Sequence, residues 1–180
     1  MKKFGLIVFM VVMCVAYFFY AKSRSGIKNE AVVNAIQVDK KFDEIKERIE
    51  EEYPSTAKEV IQTYNELMGY AYCSSMKDEY TEAYIEDLNL LYSKELIELN
   101  PMEQQVALFK AQRIGEETKP LIVIQSEIET VVKAENNGEI SDTSAQVEVK
   151  HSTNKGDIIR TYSLIKEDGK WRINSWKDEK

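Results

Sequence analysis

The chain has 180 residues, 24 Lys and Arg against 31 Asp and Glu, a single histidine and two cysteines. That length holds one domain plus an appendage rather than two full domains. Cys14 and Cys73 are too few for a disulfide scaffold or a thiolate zinc cage, and the lone His151 removes most histidine-based metal and triad designs. A formal net charge of −7 argues against nucleic-acid binding, which draws its affinity from clustered Lys and Arg.

Residues 4–21, FGLIVFMVVMCVAYFFYA, carry no charge between Lys3 and Lys22. As a helix this stretch would be roughly 27 Å long, close to the hydrocarbon thickness of a bilayer. It lacks the small residues of a signal-peptide cleavage site, Val12-Met13 before Cys14 does not suit a lipoprotein signal, and no polar stripe marks a buried soluble helix. Tyr17, Phe18, Phe19 and Tyr20 gather at one end, where a membrane–water interface favours amphipathic rings. The expectation is a single-pass anchor at the cell membrane, with residues 1–3 as a cytoplasmic tail and the C-terminal part extracytoplasmic. Lys2 and Lys3 on one flank nearly balance Lys22, Arg24 and Lys28 on the other, so orientation rests on the shortness of the tail. From Lys22 onward 22 basic residues face 31 acidic ones, a net charge of −9 that stands off anionic lipid.

Ser23-Arg24-Ser25-Gly26 reads as a hinge opening a linker and amphipathic helix over residues 22–52. Val38, Phe42, Ile45 and Ile49 recur at helical spacing in that segment, which stops before Pro54. This helix is either a stalk above the membrane or an element packed on the domain. Thr56 with Glu59 forms a capping box for the next helix, whose apolar face is Val60, Ile61, Tyr64, Leu67, Met68, Ala71 and Tyr72. A further helix is predicted over 78–92 with Tyr84, Leu88 and Leu91 on one side, then a short piece over Lys94–Leu99. Asn100-Pro101 with Glu103 signals another helix start, and Val106, Phe109 and Ile114 give it a thin apolar side.

After Pro120 the period changes from helical to alternating. Residues 121–132 suit one bent or bulged strand, and Ala145, Val147 and Val149 alternate with polar residues in the next. Asn136-Asn137-Gly138, Asn154-Lys155-Gly156 and Asp168-Gly169 are turns, the last a tight-hairpin signal. With regular pairing, the final strand puts Trp171 and Ile173 on one face and Arg172, Asn174 and Trp176 on the other. Helices first and an antiparallel four-stranded meander last define an α+β chain.

The closing hairpin, Tyr162 to Ile173 through Asp168-Gly169 with Trp171-Arg172-Ile173, resembles the end of the nuclear-transport-factor-2-like (NTF2-like) superfamily of cone-shaped α+β domains. Pro54-Ser55-Thr56 leading into a long helix with Tyr64 fits as well, and the resemblance covers residues 53–180. The anchored layout is similar to small single-pass membrane proteins of clostridia-type Firmicutes. The resemblance implies a curved sheet wrapping a helix around a conical pocket. Some relatives use that pocket as an isomerase or dehydratase site, others bind partners, and bitopic ones serve secretion or conjugation machines.

Candidate chemistry is sparse. His151 shares parity with Val147 and Val149 and is the catalytic candidate, a general base if it points into a pocket with a positioned partner. Tyr64, Tyr72, Tyr84 and Trp171 are candidates for the ligand pocket. Glu127 and Glu129 read as solvent-facing strand charges, and Cys73 as an incidental thiol. No phosphate loop, nucleophile elbow or metal-ligand spacing is present, so no cofactor or metal is implied. The favoured expectation is a non-catalytic binding or assembly module, with the bilayer and a protein partner or second copy as partners. The alternatives are a small-ligand-binding or isomerase- or dehydratase-like pocket protein and a scaffold subunit of a secretion or transport complex that dimerises through its sheet or the 39–52 helix.

Overall fold

The computed structural model describes residues 38–114, 120–136 and 139–179. The segment expected to be an anchor, 4–21, lies outside the described residues, as does the Asn137-Gly138 turn. No helix among the described residues is long and apolar enough to cross a membrane.

Helix α1 (Val38–Glu51) carries Val38, Phe42, Ile45 and Ile49 on one stripe, and all four are buried. They are buried because α1 lies against α2 (Ala57–Ala71) and α3 (Thr81–Asn89), with the Phe42 and Tyr84 rings 5.7 Å apart. Ion pairs from Lys46 to Glu86 and from Arg48 to Glu66 flank the seam. Of the two roles open to this helix, packing on the domain is the one adopted, and among the described residues the core begins at Val38.

Helix α2 starts at the expected capping box. The Thr56 hydroxyl accepts from the Glu59 amide at 3.1 Å, and Glu59 Oε2 accepts from the Thr56 amide at 3.1 Å and the Ser55 amide at 2.9 Å. Hydrogen bonds from Ser55 hold the Glu59 carboxyl below its usual range. The predicted apolar face is buried throughout, and Thr63, Asn65 and Gly69 on the other sides are buried too. The helix is enclosed by α1, α3 and three strands of the sheet.

The helix predicted over 78–92 is shorter than its pattern. A 3-10 turn (Asp78–Tyr80) leads into α3, and the chain leaves the helix at Asn89. Beyond that point Tyr92 pairs in parallel with Ile173, and Ile173 N donates to Leu91 O at 2.9 Å. Covering a sheet edge competed with continuing the helix, and the edge won. Ser93 then caps α4 (Lys94–Leu99) by accepting from the Leu96 amide. Asn100 does not open the following helix. Its amide nitrogen donates to Leu96 O at 2.9 Å, closing α4, while α5 (Met102–Ile114) begins with the Gln105 amide bonded to Pro101 O.

Strands β1 (Val123–Asn136), β2 (Glu139–Thr153), β3 (Gly156–Glu167) and β4 (Lys170–Asp178) form an antiparallel meander in chain order. β1 shifts register three times against β2, which bends the strand as its length foretold. Asp168 and Gly169 both have positive φ, 51° and 77°, as a primed two-residue hairpin turn requires. β4 departs from regular pairing: Ser163 opposes Ser175 while Leu164 opposes Ile173, so Asn174 is an extra residue. This bulge turns Trp176 onto the inner face, opposite Tyr162, instead of the face away from Trp171 and Ile173.

Because Phe42 is 1% exposed and lies between two helices, Phe42→Ala should cost about 3–5 kcal/mol of unfolding free energy in urea melts. A helix acting only as a stalk would lose under about 0.5 kcal/mol.

Candidate functional site

The inner face of the sheet and helices α2, α3 and α5 do not close completely. They leave a cavity of about 130 Å³ between them. Helical spacing brings its wall together: Tyr64 and Met68 on α2 and Tyr72 at its C-cap follow one another every four residues, as do Tyr84 and Leu88 on α3, while α5 contributes Phe109 and Gln112. β3 supplies Arg160, and the bulged β4 supplies Trp176.

The rings meet edge to face in two pairs, Tyr72–Phe109 and Tyr64–Tyr162, and at a tilt in the others. Tyr72 meets Phe109 at 5.2 Å, Tyr64 meets Tyr162 at 5.1 Å, and Tyr92 lies 5.9 Å from Trp176. The Tyr72 hydroxyl donates to Gln112 Oε1 at 2.9 Å. Burial holds the phenols of Tyr72, Tyr84, Tyr92 and Tyr162 well above their ordinary range. They therefore stay protonated at neutral pH and act as hydroxyl donors and acceptors, not bases. Leu108 and Trp176, 55% and 40% exposed, mark the rim.

Among the described residues Arg160 is the one charged residue lining this cavity, and it is 7% exposed. Its Nε donates to Asp178 Oδ1 at 2.5 Å and its Nη2 to Oδ2 at 3.0 Å, a bidentate pair across the β3–β4 ladder. Burial opposes the charge, but the bonds to Asp178 prevail and hold the guanidinium above its ordinary value. The same bonds hold the Asp178 carboxyl below its own.

Of the residues anticipated for a pocket, Tyr64, Tyr72 and Tyr84 line it together and Trp171 does not. Trp171 lies at the hairpin end, where its carbonyl accepts from the Tyr53 hydroxyl at 2.6 Å and Lys166 sits 5.2 Å above its ring. The bulge at Asn174 gives the place at the cavity to Trp176 instead. Arg160 had a legible signal in its register. It shares parity with Ile158, Tyr162 and Leu164, so a charged side chain stands between apolar residues on the inward row of the strand.

His151 points inward, as its parity suggested, but away from this cavity. It is 2% exposed and borders a separate void of about 10 Å³, too small for a substrate. Its Nδ1 lies 2.8 Å from Ser126 Oγ on β1 and its Nε2 3.1 Å from the Tyr162 hydroxyl on β3. Met68 Sδ accepts from that hydroxyl at 3.9 Å, so the imidazole ties three strands to α2. Burial lowers its pKa to about 4, with Arg160 adding repulsion, and the ring is neutral at physiological pH. Glu127 and Glu129 are exposed on β1, and Cys73 is a half-buried free thiol. Among the described residues no cluster of three or more His, Cys, Asp or Glu could hold a metal ion.

The family model for a domain of unknown function, DUF6715, matches residues 1–176. The chain belongs to this family. No curated protein matches it. Among solved structures, RPA3114, a SEC-C motif containing protein from Rhodopseudomonas palustris, is similar at 8% identity with a TM-score of 0.48, over 76% of this chain and 90% of that one. The intermembrane space region of the chloroplast protein ARC6 is similar at 11% identity with a TM-score of 0.39, over 68% of this chain and 92% of that one.

A second buried titratable group sits on the other side of the helical layer. Asp87 of α3 is 2% exposed, and its Oδ2 has no hydrogen-bond partner among the described residues. Burial raises its pKa to about 7; Lys46 pulls it down, while Glu86, Asp43 and Glu50 push it up. His151 and Asp87 act on stability with opposite signs. Between about 4 and its ordinary 6.5, His151 binds a proton only when unfolded, so its contribution falls as the pH drops through that window. Between its ordinary 3.8 and about 7, Asp87 binds a proton only when folded, so its contribution falls as the pH rises. Relative to wild type, His151→Gln should steepen the loss of stability from pH 4 to 7, and Asp87→Asn should reverse it. Each difference should amount to roughly 2–4 kcal/mol across the window, read from urea melts at successive pH values. Equal pH profiles for wild type and both variants would refute the two assignments.

Proposed function

We propose that this DUF6715 chain is a membrane-tethered, non-catalytic binding module whose domain takes a small ligand into the cavity between α2, α3, α5 and the sheet. The observation that carries the proposal is the cavity itself, about 130 Å³ of aromatic-walled space with an exposed apolar rim. An apolar cavity of about 150 Å³ is large enough to take up benzene. Binding is favoured over turnover by the groups around the space. The phenols of Tyr72, Tyr84 and Tyr92 are held protonated, and the one imidazole of the chain is neutral and committed to Ser126 and Tyr162.

The cone-shaped, nuclear-transport-factor-2-like architecture is part of this proposal, supported by the helices-first order and by a bulged sheet that contacts α2 from β1, β2 and β4. So is the tether at residues 4–21 with the domain on the extracytoplasmic side. The uncharged composition of that segment supports it, and the family match runs through it.

Ligand-observed NMR of the full chain against a fragment set, with Leu108→Trp as the blocked form, tests the binding role. Leu108 is 55% exposed at the rim, so the larger ring can cover the opening without entering the core. Fragments that bind wild type should lose at least ten-fold in affinity for the variant. A set with no fragment sensitive to the plug would overturn the proposal.

Assembly through the sheet has one observation in its favour. β1 is an edge strand, and it exposes Ile124, Val131 and Val132 at 50%, 43% and 52%. If this edge joins two copies, Val131→Lys should abolish concentration-dependent association in analytical ultracentrifugation; a monomer in wild type at every concentration would refute it.

A further inference from the structure

We infer that the ligand of this cavity is a small aromatic acid, its ring among the tyrosines and its carboxylate on Arg160. The inference rests on the binding role proposed above and adds the chemical class. Room in the cavity is the first constraint: about 130 Å³ accommodates a single six-membered ring and little else. The second is the wall. Tyr64, Tyr72, Tyr84, Tyr92 and Phe109 surround the space, and packed ring edges and faces suit a flat aromatic guest better than a flexible chain of equal volume.

Charge supplies the third constraint. Beyond residue 21 the chain carries a net charge of −9, yet among the described residues the one charged group lining the cavity is a cation, and none of its lining residues is a carboxylate. Asp178 occupies two of the five N–H donors that a guanidinium carries. Arg160 also interacts with the Tyr162 hydroxyl, and the fork retains donors for a second anion. A carboxylate accepts hydrogen bonds without donating any, which suits a wall whose charged group only donates and where the phenols of Tyr72, Tyr84 and Tyr92 remain protonated. A cationic guest would meet Arg160 with its like charge in a site of low dielectric.

Asp178 makes the inference testable in both directions. Its side chain is half exposed and Asn keeps an acceptor oxygen, so Asp178→Asn leaves the buried Arg160 hydrogen-bonded but without its counter-ion, free to pair with a ligand carboxylate. The experiment is ¹⁹F NMR titration of the full chain in lipid nanodiscs with 4-fluorobenzoate, 4-fluorobenzyl alcohol and 4-fluorobenzylamine, using protein-free nanodiscs as the blank. Hexanoate serves as a competing acid without a ring. The benzoate should bind at least ten-fold more tightly than the alcohol or the amine, and hexanoate should displace it poorly. Arg160→Gln should weaken the benzoate at least ten-fold and leave the alcohol within about two-fold, Arg160→Lys should restore part of the loss, and Asp178→Asn should tighten the benzoate several-fold. The Asp178→Asn arm keeps the test decisive if Arg160→Gln fails to fold.

Alcohol or amine binding as tightly as the benzoate, displacement by hexanoate at equal concentration, or an unchanged affinity in Asp178→Asn would each overturn the aromatic-acid class. In those cases plug-sensitive fragment binding to Leu108→Trp would still uphold the cavity as a binding site. Binding of none of the three probes overturns the class as well, and the fragment set alone then decides the binding role.

Discussion

Burying a helix that carries tyrosines is the constraint on which the rest of this fold depends. Tyr64 and Tyr72 of α2 are each 4% exposed, and their rings must be removed from water without leaving hydroxyls unpaired. Elements distant in sequence answer that demand. Gln112 of α5 accepts from Tyr72, Phe109 meets its ring, and Tyr162 of β3 meets Tyr64 edge to face. Tyr162 is itself fully buried and bonded to His151, which is bonded in turn to Ser126. One line of polar contacts thus runs from the enclosed helix through three strands, inside what is otherwise an apolar core.

The same arrangement accounts for the electrostatics of the interior. His151 is neutral because its place between Ser126 and Tyr162 is dry and because Arg160 stands nearby. Asp87 is pushed toward neutrality by burial at the α1–α3 seam, where an acidic α1 surface adds to the effect. Both groups resist charging, but one would gain a positive charge in acid and the other a negative charge in base. Their penalties therefore oppose each other across the same pH range. Arg160 alone retains its charge inside, and it does so through a counter-ion at the end of the last strand.

Local signals in the sequence were most reliable where one element decided its own structure. The Thr56–Glu59 box, the Asp168-Gly169 turn and the α+β order were all legible, because capping and turn geometry depend on a few adjacent residues. Signals failed where distant elements competed for the same residues. Asn100 carried the chemistry of an N-cap, yet its amide was drawn to the open carbonyl of Leu96. Leu91 and Tyr92 carried helical spacing, yet the exposed edge of β4 required backbone partners. The periodic pattern of α1 said which face was apolar but not what would cover it.

The extra residue Asn174 illustrates how far one such event reaches. Regular pairing would turn the Trp176 ring away from the face that Tyr162 occupies. With the bulge, that ring moves inward beside Tyr92, and the Arg160 guanidinium lies 6.0 Å from it. The bulge comes before Asp178 as well, and resuming the pairing beyond it sets that carboxylate opposite Arg160. A wall of the cavity, its rim and the counter-ion of its charged group thus all follow from one residue inserted in an edge strand. Bulges gather where a strand must re-aim side chains at a site. This one re-aims two: Trp176 into the cavity wall, and Asp178 onto the guanidinium that lines it.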